Sequence, residues 1–315
     1  MKAVVYDRYG PPEVLRLEEM ATPSPAANEV LVEVVATSVN RSDWECLVGT
    51  PAYARIGGLR TPAKRTLGSD IAGRIVAVGE AVTRFGVGDE VYGESPMGGF
   101  AQYAVAKEAA LAPKPESLSF VDASTIPQAG AIALQGTTGV GAGQRLLVNG
   151  AGGGAGSFAI QLAKRAGAHV VGVDNAAKQD FIRAVGADDV IDYAREDFTR
   201  LRPFDFVLDL VAHRSVFAYR RSLAPGGRYR CVGGPVPTLL RIITLGALLG
   251  SLSGRSIGML LVKPGPTHFG PLTEMCVSGD VDIHVDHVYP LSETPQALAR
   301  VGDGEALGKV VVAVA

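Results

Sequence analysis

At 315 residues the chain is longer than most single domains, so two are expected. Hydrophobic residues make up 47% and charged residues 20%, which excludes a disordered chain, and a formal net charge of −2 gives no general attraction for nucleic acid or anionic lipid. Three cysteines (Cys46, Cys231 and Cys276) lie far apart with no CxxC pair, which argues against a disulfide framework and a cysteine-rich zinc module. The opening MKAVVYDRYGPPEVL lacks an apolar signal region, which predicts a cytoplasmic protein.

The first hundred or so residues read as β-rich. Strands are predicted at Val30 to Ala36, Ile71 to Val78 and Ala101 to Ala106, separated by turn signals such as Gly-Pro-Pro and Val-Gly-Asp. From about Phe120 the pattern changes to strands alternating with helices. Helices are predicted at 157–165, 178–185 and 216–223, and strands at 169–173, 189–192, 204–210 and 228–232. That alternation implies right-handed crossovers and a parallel sheet covered on both faces. The apolar run from Thr238 to Val262, broken by Arg241 and Arg255, is too short in its uncharged core to cross a bilayer, and predicts a buried or interface-forming helix with no membrane span. The final strand, Gly308 to Val314, is expected to return to the first domain. His284 and His287 fall in one predicted strand, three apart, and so point to opposite faces.

The densest information lies between Arg145 and Asp174, RLLVNGAGGGAGSFAIQLAKRAGAHVVGVD. An apolar strand meets a glycine-rich turn that opens a helix, and an acid follows about 20 residues on, the order of a β-α-β unit that holds a dinucleotide. Candidate cofactor-binding residues are therefore Asn149, Gly150, Ala151, Gly152, Gly153, Gly154, Ala155 and Gly156. Ala151 and Gly153 keep side chains out of the path of a pyrophosphate, and Gly156 lets the helix pack close. The amides at the helix start supply positive potential for phosphates.

Taken together, MKAVVYDRYGPPEVLRLEE, VLVEVVATSVNRSD, LGSDIAGRIVAVGEAVTRFGVGDEVYG, GGFAQYAVA, the glycine loop, VGADDVIDY, LAPGGRYRCVGG and GKVVV form a collinear series. It resembles the medium-chain dehydrogenase/reductase superfamily. The resemblance implies an α/β fold: a Rossmann doubly wound parallel sheet (119–265) plus a GroES-like β-rich domain (1–118 and 266–315), with an active site in the cleft between them. It implies NADH or NADPH as cofactor, with Val232, Gly233 and Lys309 as further cofactor-binding residues, and a homodimer. Family members that bind zinc carry a cysteine and a His-Glu pair where this chain has Asn40 and Ser69-Asp70. Asparagine and serine are poor substitutes for thiolate and imidazole. No metal ligand set is therefore expected, which points to the zinc-free quinone-oxidoreductase-like and enone-reductase-like branch.

Without a metal, developing charge on a substrate oxygen must be met by hydrogen bonds. Asn40 is the first candidate, and it fits equally well as a turn-capping asparagine. Asp43 is read as organising that loop, Tyr53 as a hydroxyl donor, and Gln128 as reaching the nicotinamide or simply starting a helix. Asp174, at the end of the second strand, would accept from ribose hydroxyls and repel a 2′-phosphate, which favours NADH. Asn175 is its neighbour, Lys178 could still attract a phosphate, and Tyr193 would line the adenine side. The predicted function is zinc-independent hydride transfer to a small apolar quinone, enone or related carbonyl compound. A cofactor-binding redox sensor and an alcohol dehydrogenase are the alternatives.

Overall fold

The computed structural model describes residues 1–56 and 58–314. The chain divides into two compact units, Met1–Ala131 together with the chain from Lys263 onward, and Ile132–Val262. Residues 119–131 group with the first unit, whereas the sequence suggested the second. Helix Phe120–Thr125 packs on strands Glu29–Val39 and Asp70–Val78, which holds this segment back.

In the first unit the strand Glu29–Val39 is the organiser. Its alternating valines are buried at Val30, Val32 and Val34, where they meet Ile71, Ile75 and Val91. Among the described residues it belongs to a seven-stranded sheet. Asp70–Val78 pairs antiparallel along it, and Lys309–Ala313 pairs antiparallel with its last four residues. Register sets the rest. Val39 faces Val310 and Ser38 faces Asp70, so Asn40, Lys309 and the 68–70 turn meet at one end of the sheet. Asp70 in turn faces Glu94 on the next strand. Helix Arg41–Val48 begins directly after Asn40 and ends at Gly49, whose φ of 65° is a left-handed stop. His284 precedes the strand Val285–Pro290 instead of lying within it; His287 is in the strand, exposed, its ring tilted against that of Tyr289.

The second unit carries a six-stranded, all-parallel sheet among the described residues. Taking Arg145–Asn149, His169–Asp174, Asp189–Asp192, Phe204–Asp209, Leu223–Cys231 and Ser256–Met259 as first to sixth, the spatial order is third-second-first-fourth-fifth-sixth. That is the doubly wound order, with its switch point between the first and fourth strands. Leu146, Leu147 and Val148 are fully buried, as strands covered on both faces require. The apolar run 238–262 is not one helix. It is helical over 236–251, turns at Gly254 with φ 61°, and then forms the sixth strand. Glycines at 250, 254 and 258 weaken a continuous helix, and the open edge of the fifth strand takes up Ser256–Met259 in parallel register.

Candidate functional site

Two polar constructions stand out, one in each unit. In the first unit, strand register brings together a buried set of side chains from distant parts of the chain. Asn40 Nδ2 donates to Asp70 Oδ2 at 2.9 Å and, less closely, to Ser69 Oγ at 3.4 Å. Asn40 Oδ1 accepts from Lys309 Nζ at 2.6 Å, and Lys309 Nζ also stands 3.6 Å from Asp70 Oδ2. Ser38 Oγ donates to Asp70 at 3.3 Å, and the Gln128 amide approaches the same carboxylate at 3.3 and 3.4 Å from the start of helix Pro127–Gly136. Asp43 accepts the amides of Asn40 (2.8 Å) and Gly68 (3.1 Å), which ties the helix start to the 68–70 turn. Asn40 is thus both a helix-capping position and a side chain held on both of its polar ends.

The electrostatics follow from burial. Lys309 is only 3% exposed and Asp70 fully buried. Burial pushes the Asp43 carboxyl up to about 7, against the pull of its two backbone amides. Burial also raises Asp70, opposed by the Lys309 ammonium and the Asn40 amide, and it lowers Lys309, opposed by Asp70 and then Asp43. Glu94 is pushed up to about 7 by burial and then by the Asp70 charge, while the Gly265 amide donates to it at 3.0 Å. Asp70 and Asp43 thus share the charge of one lysine, whereas Glu94 meets only the Asp70 charge.

The other first-unit candidates are placed differently. Tyr53 sits in the short helix Ala52–Arg55, with its hydroxyl on Glu45 Oε2 at 3.1 Å. The Gln128 side-chain carbonyl accepts from Ser42 Oγ at 3.0 Å. Lys309, expected beside the cofactor, is committed to Asn40 and Asp70. Asp70 as a buried hub, and Glu94 facing it across the sheet, were missed. The available signal was an acid placed directly before the apolar run IAGRIV, a position that only a paired carboxylate tolerates. None of the cysteines is poised as a nucleophile: burial pushes the Cys46 thiol up to about 11 and Cys231 and Cys276 up to about 12.

In the second unit the glycine loop leaves the first strand and is tied to the second, the amides of Gly150 and Ala151 donating to Val173 O at 2.9 and 3.1 Å. Gly150 has φ 86°, open to glycine at little cost. A Cβ on Gly156 would stand 2.3 Å from Gly150 O, so helix Gly154–Arg165 approaches the loop as closely as backbone allows. The helix starts at Gly153 with no side-chain cap, which leaves the amides of Gly154, Ala155 and Gly156 without helical acceptors, as an anion site requires. Ala151 is fully buried, its methyl near Gly172, so it fills the floor of the loop instead of lining a phosphate path.

Asp174 lies at the end of the second strand and accepts the amides of Gly152 and Asn175, each at 2.9 Å. Lys178 is 6% exposed, with Nζ 3.7 Å from Asp174 Oδ1. Tyr193 is exposed beside them, its amide donating to Asp174 O at 3.2 Å. At the switch point, Asn149 Nδ2 donates to Asp209 Oδ1 at 2.8 Å. Asp209, fully buried, also accepts from the amides of Val211 and Ala212 and from the Tyr229 hydroxyl, and the Val232 amide donates to its carbonyl. Gly233, half-buried, follows Val232. Asp209 is therefore the organiser of this rim, a role that its position at the end of an apolar strand could have suggested.

Residues 26–116 match the alcohol dehydrogenase GroES-like domain, and residues 185–312 match the family described as zinc-binding dehydrogenase. The human mitochondrial NAD(P)H oxidoreductase RTN4IP1 is 32% identical over 99% of this chain and 89% of its own length. The chain belongs to the medium-chain dehydrogenase/reductase superfamily, in its quinone-oxidoreductase-like branch. A 2-methylene-furan-3-one reductase of Solanum lycopersicum is 32% identical over 99% of the chain and 79% of that relative. The solved quinone oxidoreductase of Coxiella burnetii superposes with a TM-score of 0.89 at 30% identity, covering 100% of this chain and 99% of that one.

Within this superfamily, the zinc that one family description names would need soft donors around the position of Asn40. The residues there do not fit it: an amide, a serine hydroxyl and a carboxylate surround the ammonium of Lys309. Among the described residues no group of three or more His, Cys, Asp or Glu side chains could hold a metal. The glycine loop, by contrast, fits the dinucleotide that superfamily members use.

Proposed function

We propose that this protein is a zinc-independent, NAD(P)H-dependent oxidoreductase acting on a quinone, an enone or a related small apolar carbonyl compound. The uncapped start of helix Gly154–Arg165 under the close glycine loop is the observation that carries this reading. The names of the relatives, an NAD(P)H oxidoreductase, a quinone oxidoreductase and an enone reductase, support it. When bound, the nicotinamide would supply a hydride to an electron-poor carbon. The chain's own groups then have limited tasks. Amides 154–156 would hold the phosphates, Asp174 the ribose and Tyr193 the adenine side. Asn40, oriented by Lys309 and Asp70, would present its loosest N–H, the one 3.4 Å from Ser69, to a substrate oxygen. Tyr53 and Gln128 would act as further polar contacts, and Asp43 would hold the loop that carries Asn40.

We further propose NADH as the preferred cofactor. Lys178, the cation beside the ribose position, is buried against Asp174, so the pair offers a 2′-phosphate no net charge. The Ser256–Met259 strand ends the parallel sheet, and we propose a homodimer through that open edge.

The experiment is a screen of NADH and NADPH oxidation with quinones, enones and aldehydes as acceptors. Turnover with a quinone or an enone, and a higher kcat/KM with NADH, is expected. Firm NADH binding without turnover on any acceptor would instead assign a redox-sensing role, and a strong NADPH preference would remove the reading of Asp174.

A further inference from the structure

Among the described residues, two that are not glycine have a left-handed backbone, Ala212 at φ 51° and Met97 at φ 107°. Ala212 is small and close to the left-handed well, and the Asp209 carboxylate accepts its amide at 2.7 Å, so the rim of the second unit accounts for it. Met97 is the true outlier, a long side chain at a φ well beyond that well.

Its setting lies beside the buried cluster of the first unit. The strand Glu90–Glu94 ends with Glu94 facing Asp70, and the chain then arches over the 68–69 turn. Ser95 is the near foot of the arch, its amide donating to Ser69 O at 2.7 Å. Gly99 is the far foot, its amide donating to Gly68 O at 2.8 Å. A Cβ on Gly99 would stand 2.7 Å from Thr37 Oγ1, so this foot is pressed on the sheet. Pro96, Met97 and Gly98 form the crown. Proline followed by a residue of positive φ is the order of a type II turn, whose third position asks for glycine or asparagine. Glycines hold the next two positions, yet methionine holds the strained one. Backbone bonds at both feet already fix the arch, so the turn does not need this side chain. Strain kept under such conditions gathers where a side chain must face a ligand. Met97 packs on the buried cluster that includes Leu47, Leu67 and Phe100, and it stays half-buried. Under the same arch lies Ser69, whose hydroxyl takes the loosest N–H of Asn40.

We propose that Met97 is the specificity-determining residue of the acceptor site, its thioether forming an apolar rest for a flat conjugated ring whose oxygen turns toward Asn40. This rests on the hydride-transfer reading of the Asn40 site. A thioether is soft and polarisable and lies well against a π-system. A quinone or a cyclic enone gains that contact, and a short open-chain enone does not reach across it. The left-handed φ sets the direction in which the flexible side chain leaves the crown.

The test reads binding and turnover separately. Trp44 is the chain's only tryptophan, half-buried on helix Arg41–Val48 and packed on the same cluster as Met97. Its fluorescence should be quenched saturably by 2-methyl-1,4-naphthoquinone in the parent. Met97→Gly relieves the left-handed strain and should fold as the parent does. It should raise the quinone Kd and KM about tenfold and change kcat/KM for but-3-en-2-one by less than about twofold. Met97→Leu keeps apolar volume and should hold the quinone Kd within about threefold of the parent. Absent quenching in the parent, unchanged quinone binding in Met97→Gly, or equal losses with both acceptors overturns the proposal. Saturable quenching without turnover on any acceptor would sink the hydride reading alone, and the Kd ratio would then decide the role of Met97.

Discussion

The two polar constructions of this protein solve opposite problems. The loop at Gly150–Gly156 is made of backbone: its first four amides are tied to the chain itself, and those of Gly154, Ala155 and Gly156 are left without helical acceptors. The Asn40–Asp70–Lys309 cluster is made of side chains, brought from three distant stretches by strand register and buried where no solvent can rescue an unpaired charge. The first is local and tolerant in everything except bulk. The second is non-local and intolerant of any missing partner. A change of volume should therefore damage the loop, and a change of charge should damage the cluster.

The largest effect is expected at the cluster. Lys309→Met leaves Asp70 buried with its carboxylate uncompensated, and should lower stability by about 3–5 kcal/mol in denaturant unfolding. A loss below about 1 kcal/mol would show that water or a proton replaces the ammonium easily. Next comes the loop. Gly156→Val places side-chain carbon where Gly150 O stands 2.3 Å from even a Cβ. It should cost about 1–3 kcal/mol in stability and weaken NADH binding, read by fluorescence titration, by tenfold or more. Unchanged binding would move the cofactor off this loop.

That contrast also explains how much the sequence disclosed. The glycine loop, its helix and Asp174 were legible because every relevant residue lies within one βαβ stretch and each spacing has a steric meaning. Asn40 and Asp43 could be singled out, but their partners could not. Lys309 is 269 positions from Asn40, and only the facing of Val39 and Val310 across two strands makes them neighbours. The same limit hid Glu94, which reaches Asp70 across the sheet. The sixth strand was hidden differently: an apolar run has no period that separates helix from buried strand, and the turn at Gly254 decides it.

A smaller effect sharpens the electrostatic side. The folded-state Glu94 carboxyl is pushed up to about 7, above its ordinary value, so the folded protein keeps a proton that the unfolded chain has released. Stability from this group is present at acid pH and is lost as pH rises from the ordinary carboxylate range through 7. Glu94→Gln keeps an acceptor for the Gly265 amide and removes the ionisation. Because the group is only half-buried, the gain should be about 1–2 kcal/mol at pH 8, vanishing near pH 4 in parallel thermal melts. A gain that is equal at both pH values would contradict the upward shift that burial and the Asp70 charge impose on Glu94. The last effect is that of Lys178→Ala, which removes a buried cation beside Asp174; it should lower stability by about 1–3 kcal/mol and leave the NADH preference in place. A switch to NADPH would contradict the pairing of Lys178 with Asp174.

The central claim is that buried side chains around Lys309 stand where a metal would otherwise serve this chemistry. The direct measurement is quinone- or enone-dependent NADH oxidation by protein whose zinc content has been fixed by elemental analysis before and after chelation. The account predicts equal turnover with and without chelator, at well under one zinc per chain. Turnover that disappears on chelation and returns in proportion to added zinc would contradict it.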